Sequence, residues 1–212
     1  MRCLSIFDKG GEVMRVVLKY YFPLEAVVSA GLTCTANDTE EKKEQIDHTV
    51  FIKKLIEKGH TSVLEHLVYS FKIEGISRAL LQQLARHRMA SMSVESTRWA
   101  LHKIANNFNA LIQMIREVST DEPEFRELVE DYVQKLILLY EKKKLNNDRL
   151  KVFFPELLQT NLVYTVNARS LRNLFYLRSA PDAFPEFRNL MKLIYMALPK
   201  THRFIYEDVY QI

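Results

Sequence analysis

The densest chemistry in the chain lies between Arg86 and Arg98, which read R-H-R-M-A-S-M-S-V-E-S-T-R. Arg86, His87 and Arg88 are consecutive, so on a helix they point in different directions and cannot share one face. Such a group suits a segment that meets more than one ligand, or more than one chain. Ser91, Ser93 and Ser96 add hydroxyls and small profiles where backbone amides can approach an anion. Arg98 closes the stretch with a planar fork able to grip phosphate at two points. Taken alone, R-H-R is the solvated last turn of a helix, favoured by the macrodipole. The full stretch is better matched to an anionic ligand.

A second constellation is Asn167-Ala168-Arg169-Ser170-Leu171-Arg172-Asn173-Leu174-Phe175-Tyr176-Leu177-Arg178. Leu171, Leu174, Phe175 and Arg178 recur at helical spacing, placing Arg178 at the edge of a buried face. Arg169 and Asn173, four apart, share a face as well. A third is His60-Thr61-Ser62-Val63-Leu64-Glu65-His66. Its two histidines are not spaced to set both imidazoles on one helical face, so no metal is expected. Thr61 or Ser62 reads as the cap of a short helix, whose N-terminus suits phosphate or ring oxygens. Cys3 and Cys34 are the only cysteines, too few for a disulfide framework or a zinc set. No glycine-rich nucleotide loop occurs, so any nucleotide must be held in another way.

These residues need elements to position them. Residues 1–13 read as an N-terminal extension, a short strand and turn, with Met14 as an alternative start. Val16–Tyr21 is a β-branched and aromatic strand ended by Pro23. Leu24–Thr35 has helical spacing, and Asn37, Asp38 and Thr39 cap a single further helix running to Lys58, stopped by Gly59. Leu67–Glu74 alternates cleanly, with Leu67, Tyr69, Phe71 and Ile73 on one face. Gly75 is read as its turn, and Ser77 as the cap of a helix that delivers Arg86–Arg88 at its end. Gln83, three residues before Arg86, can share a ligand with it. Residues 101–118 carry no clear pattern, and three asparagines (106, 107 and 109) suggest a loop. Thr120–Pro123 starts a helix whose wide apolar stripe, from Phe125 to Tyr140, reads as core or subunit contact. Lys142–Lys144 is its solvated end. Asn147 or Asp148 caps a short helix reaching Phe154, Leu158–Val166 is a strand or helix start, and Pro181 and Pro185 break the helix bearing Arg178. Phe187–Leu198 forms another, and Pro199 precedes a last helix.

The 212 residues are 48% hydrophobic and 26% charged with net charge +4, ordinary for a globular protein able to bury a core. That charge is too mild to imply nucleic acid, yet suits an anionic small substrate if the cations converge. No apolar run reaches membrane-spanning length and no signal-peptide core is present, so no membrane contact and a cytoplasmic location are expected. No repeat or linker interrupts the pattern, giving one domain over 1–212.

R-H-R, seven residues, Ser96, one residue and Arg98 together resemble the motif of the flavin-dependent thymidylate synthases. N-A-R-S-L-x-N-x-x-x-L-R at 167–178 resembles the same family in the expected order, and G-H-x-S/T-x-x-E-H at 59–66 supports it. The resemblance implies an α+β fold, helices packed on a small mixed or antiparallel sheet, assembled as a homotetramer with active sites shared between subunits. It implies FAD as cofactor, held by His60, Ser62, Arg86, His87, Arg88, Asn167, Arg169 and Asn173. It implies the making of dTMP from dUMP, with methylenetetrahydrofolate and NADPH as co-substrates and no cysteine nucleophile. Gln83, Arg86, Glu95, Ser96, Thr97, Arg98, Lys151 and Arg178 would bind substrate, with Arg178 and Ser96 at the reacting centre. Arg178 would stabilise the ionised uracil ring, while Ser96 lacks an evident base and suits substrate contact. Lys151 stands where many members carry arginine, keeping the charge without the fork. Leu32 also replaces a frequent arginine, and Ser93-Val94 a frequent Asn-Glu pair. A nucleotide- or RNA-binding module using Arg86–Arg88 is the alternative, which would show steep salt dependence of binding.

Overall fold

A computed structural model describes residues 3–8, 11–98, 123–142, 147–154 and 156–211. Its centre is a five-stranded antiparallel sheet formed by β1 (Cys3–Asp8), β2 (Gly11–Tyr21), β3 (Val68–Ser77), β4 (Ala90–Val94) and β5 (Gln159–Asn167). The order across the sheet is β1-β2-β3-β5-β4. Alternation on β3 does what its sequence predicts: Tyr69, Phe71 and Ile73 are fully buried, as is Leu67 just before the strand. Leu162, Tyr164 and Val166 repeat the pattern on β5. Each such side chain contributes about 1.5–3 kcal/mol of burial, which fixes the register because a one-residue slip would expose them all.

Helices cover the buried side. The N-terminal ones are α1 (Glu25–Thr33), α2 (Glu40–Gln45) and α3 (His48–Glu57), and α4 (Arg78–Leu84) follows β3. Beyond β4 come α5 (Pro123–Glu141), α6 (Asn147–Leu150), α7 (Ala168–Arg178) and α8 (Pro185–Ala197). Short 3-10 turns span Thr61–His66, Lys151–Phe153 and Lys200–Tyr206. α8 packs on β1 and β2, while α7 packs on β5, on α8 and on the Thr61–His66 turn. The architecture is α+β, as the family resemblance implies.

Several elements differ from the sequence reading. The helix expected from Thr39 to Lys58 is two helices, because the Asp47 carboxylate accepts the Val50 N–H at 3.0 Å and starts a second one. Gly75 does not end β3. It sits at φ 76° within a bulge between Ile73 and Ile76, donating its N–H to Asn161 Oδ1, and pairing resumes to Ser77. The turn over 61–66 is preceded by His60, with no side-chain cap from Thr61 or Ser62. β4 lies inside the Arg86–Arg98 stretch, where no strand was expected. Leu158–Val166 resolves to a strand, and the last helix is a 3-10 turn. On α5 only part of the stripe is covered: Val133 and Leu136 are buried, whereas Leu128, Tyr132, Leu138 and Leu139 are exposed. The loop expected over 101–118, and the side chains of Phe125 and Tyr140, lie outside the described residues. Leu32 is a core residue of α1, 4% exposed.

Candidate functional site

Ser77 fixes the first motif from behind. Its hydroxyl accepts the Leu80 N–H at 3.0 Å and opens α4, so that Arg86, His87 and Arg88 emerge just past the helix end. The chain then turns, with the Arg86 N–H on the Gln83 carbonyl and the His87 N–H on that of Leu84, and runs into β4. Ala90 faces Val166 in the antiparallel β4–β5 ladder. Counting outward from that pair sets Arg88 against the start of α7. Here β5 ends at Asn167, whose side-chain oxygen accepts the Ser170 N–H at 2.8 Å and caps α7. One ladder thus joins two motifs that are about eighty residues apart in sequence.

Between them lies a cleft of about 570 Å³ lined by Glu65, Arg86, His87, Arg88, Met89, Tyr164, Arg169, Ser170, Asn173, Leu177 and Arg178. Four guanidinium groups against one carboxylate make it strongly cationic, and that carboxylate, Glu65, is paired with Arg169 at 2.7 Å. Arg178 donates from Nε to His87 Nε2 at 3.2 Å and lies over the Phe187 ring at 5.1 Å. His87 also meets that ring edge-on, at 6.0 Å between centroids. Burial first, and then the charges of Arg178 and Arg86, hold the His87 imidazole below its ordinary pKa. A neutral ring accepting at Nε2 carries its proton on Nδ1. The cleft can therefore hold an anion against arginine forks, and a planar ring beside Tyr164, Met89 and Leu177.

Of the expected cofactor residues, Arg86, His87, Arg88, Arg169 and Asn173 line this cleft. Asn167 borders it through its cap to Ser170, with its side-chain oxygen already engaged. His60 and Ser62 are exposed on the turn that supplies Glu65. Among the expected substrate residues, Arg86 and Arg178 line the cleft, while Gln83, Glu95, Ser96, Thr97, Arg98 and Lys151 do not. Glu95 is anchored to Asn161 by its own N–H and by its carboxylate, both at 2.8 Å. Arg98 and Lys151 meet on Asp148, at 3.8 and 3.6 Å, in exposed pairs that cost little to break. Within one chain, then, the expected residues fall into two groups. Cys34 is exposed at the end of α1 and lines no part of the cleft.

Glu65, Ser170, Met89, Tyr164 and Leu177 were not among the expected site residues. Ser170 could have been found, since it lies between Arg169 and Asn173 on the first turn of α7. The Glu65–Arg169 pair spans 104 positions and leaves no local signal.

A family model described as "Thymidylate synthase complementing protein" matches residues 16–202. A flavin-dependent thymidylate synthase from Helicobacter pylori strain J99 is 36% identical, over 92% of this chain and 98% of its own. One from Campylobacter jejuni strain RM1221 is also 36% identical, over 92% of this chain and 96% of its own. The fold is similar to a crystal structure of the Helicobacter pylori flavin-dependent thymidylate synthase complexed with FAD and dUMP. There the TM-score is 0.82 at 33% identity, over 92% of this chain and 99% of that one.

Proposed function

We propose that this chain, which belongs to the flavin-dependent thymidylate synthase family, makes dTMP by reductive methylation of dUMP. Methylenetetrahydrofolate is the carbon donor and NADPH the reductant, with FAD as the bound redox cofactor. The observation that carries this reading is the cleft itself, where Arg86–Arg88 and Arg169–Arg178 meet with Arg178 bonded to His87. The residues fit a flavin dinucleotide: arginine forks for its anionic linker, and Tyr164, Met89 and Leu177 for a ring. The FAD and dUMP in the Helicobacter structure support the same two ligands here. When bound, the flavin supplies the reducing equivalents and mediates transfer of the methylene carbon.

Arg86, Arg88, Arg169 and Asn173 bind the flavin, with Asn167 behind them and His60 and Ser62 at the adjoining turn. His87 holds Arg178, and Arg178 stabilises negative charge on the uracil ring as carbon 5 becomes nucleophilic. Glu95, Ser96, Thr97 and Arg98 bind dUMP, with Arg98 on its phosphate and Lys151 and Gln83 in support. Ser96 acts as a substrate contact at the reacting centre. Cys34 stands away from the cleft, in keeping with a reaction that uses no cysteine nucleophile.

The separation of the dUMP group from the cleft within one chain supports active sites completed by a second copy in a homotetramer. The exposed Leu128, Tyr132, Leu138 and Leu139 on α5 offer apolar surface for such an assembly. The protein is assigned to the cytoplasm, and no helix among the described residues is long and apolar enough to cross a membrane. The test is dTMP formation, followed by mass spectrometry, from dUMP, methylenetetrahydrofolate, NADPH and added FAD. Product that disappears when the flavin is stripped is expected. A folded, flavin-loaded protein that yields no dTMP refutes the assignment.

A further inference from the structure

Phe187 of α8 touches both halves of the cleft from outside its lining, and its neighbour Glu186 holds the start of the helix behind one of them. Phe187 is fully buried, and its ring lies under the Arg178 guanidinium at 5.1 Å while taking the His87 ring edge-on at 6.0 Å. A guanidinium over an aromatic face is attracted to the ring quadrupole, and the edge-on contact limits imidazole rotation. Both effects favour the geometry in which Arg178 Nε reaches His87 Nε2.

Glu186 acts one step further back. Its carboxylate accepts the Ser77 N–H at 2.7 Å and the Ser77 hydroxyl at 2.5 Å. That same hydroxyl accepts the Leu80 N–H at 3.0 Å. The remaining early donors of α4 are also taken, Arg78 N–H by the Leu158 carbonyl and Ala79 N–H by that of Glu156. Every free N–H at this helix start is therefore committed, which is what a helix needs to begin at a fixed residue. α4 is only seven residues long, so a shift at Ser77 is passed directly to Arg86–Arg88 at its other end. One half-buried carboxylate and one buried ring, side by side, thus support the two groups the cleft must keep in register.

We propose that Phe187 and Glu186 are positioning residues, Phe187 seating the Arg178–His87 pair and Glu186 anchoring through Ser77 the helix that carries His87. The link to turnover rests on the thymidylate synthase reading above, whereas the seating itself does not. Two measurements separate them. The first is 15N NMR of ring-labelled histidine in the full-length, flavin-loaded protein, with His87 assigned by its loss in His87→Gln. Wild-type His87 is expected as the neutral Nδ1–H tautomer, and Phe187→Leu should move it toward a mixture. His87 resonances unchanged in Phe187→Leu overturn the seating, whatever reaction the protein performs.

The second is kinetic. Phe187→Leu should lower kcat by about 2- to 30-fold, the range of one cation–π contact, with a smaller change in KM for dUMP. In an Arg178→Lys background the same substitution should cost little more, because the pair acts as a unit. Fully additive losses overturn the claim that Phe187 works through Arg178. Glu186→Ala should cost about tenfold or more in kcat through misplaced groups. Glu186→Gln, which can still accept from the Ser77 N–H, should recover most of it. Equal losses in both variants at matched thermal stability overturn the anchoring role.

Discussion

Replacing Arg178 with alanine tests the cleft most directly. The side chain is half-buried, with one hydrogen bond to His87 and one ring contact to Phe187. Those two contacts are worth about 1 kcal/mol each in folding, so Arg178→Ala should cost no more than about 2 kcal/mol and leave a folded protein to assay. Its effect on turnover should be larger. Removing a donor aimed at charge that develops in the transition state costs about 10²–10³ in kcat, or about 3–4 kcal/mol. The flavin should stay bound, because Arg86, Arg88, Arg169 and Asn173 remain in the cleft. An independent readout comes from His87, which Arg178 and Arg86 both help hold below its ordinary pKa, behind burial as the main cause. Deleting Arg178 removes one of those charges and opens the site to water, so His87 should titrate at higher pH. Flavin absorbance, single-turnover kinetics and an NMR titration read all three quantities on one sample. A variant with wild-type kcat, or one whose His87 titration does not move, refutes the reasoning. Loss of flavin with unchanged dUMP binding would reassign Arg178 to the cofactor.

Other perturbations separate the remaining roles. Arg98→Ala should weaken dUMP binding and leave flavin binding unchanged, because Arg98 lies outside the cleft and its contact to Asp148 is an exposed pair; calorimetry finding unaltered dUMP affinity counts against it. Asn167→Ala removes the cap on Ser170 N–H and should lower folding stability by about 1 kcal/mol, read as a lower denaturation midpoint, with an unmoved midpoint contradicting the cap. Asp208 is held below the ordinary carboxylate range chiefly by hydrogen bonds from Arg172, partly offset by burial. A depressed folded pKa contributes stability above the unfolded value and loses it as pH falls through the folded one. Thermal stability should therefore drop as pH goes below about 4, and Asp208→Asn should flatten that part of the profile; parallel pH profiles for the two proteins would exclude the linkage.

Much of this arrangement was legible locally. The alternation of Leu67, Tyr69, Phe71 and Ile73 gave a strand whose inward face is buried, and Ser77 was readable as a cap because its hydroxyl serves an N–H three residues on. Errors arose where a local signal had two readings. Asp47 falls inside the span read as one helix to Lys58, yet it is the cap that begins a second one. Gly75 looked like a turn, yet a glycine at positive φ also allows a bulge within a continuing strand, which Asn161 stabilises from β5. β4 was hidden because Ala-Ser-Met-Ser-Val has little strand propensity of its own; it is an edge strand held by the ladder to β5.

The sequence by itself determined the family, through two motifs whose order and spacing mark it, and most of the elements that hold those motifs. Those features depend on interactions within a few residues: hydroxyls reaching backbone amides one turn away, side chains alternating across a pleat. Only the tertiary structure decided that Arg178 meets His87 over Phe187, that Glu65 pairs with Arg169, and that Arg98 and Lys151 stand apart from the cleft in a single chain. Arg178 and His87 lie 91 positions apart and Arg169 and Glu65 104, and what brings them together is the register of β5 against β3 and β4, set by the burial of one face of the sheet.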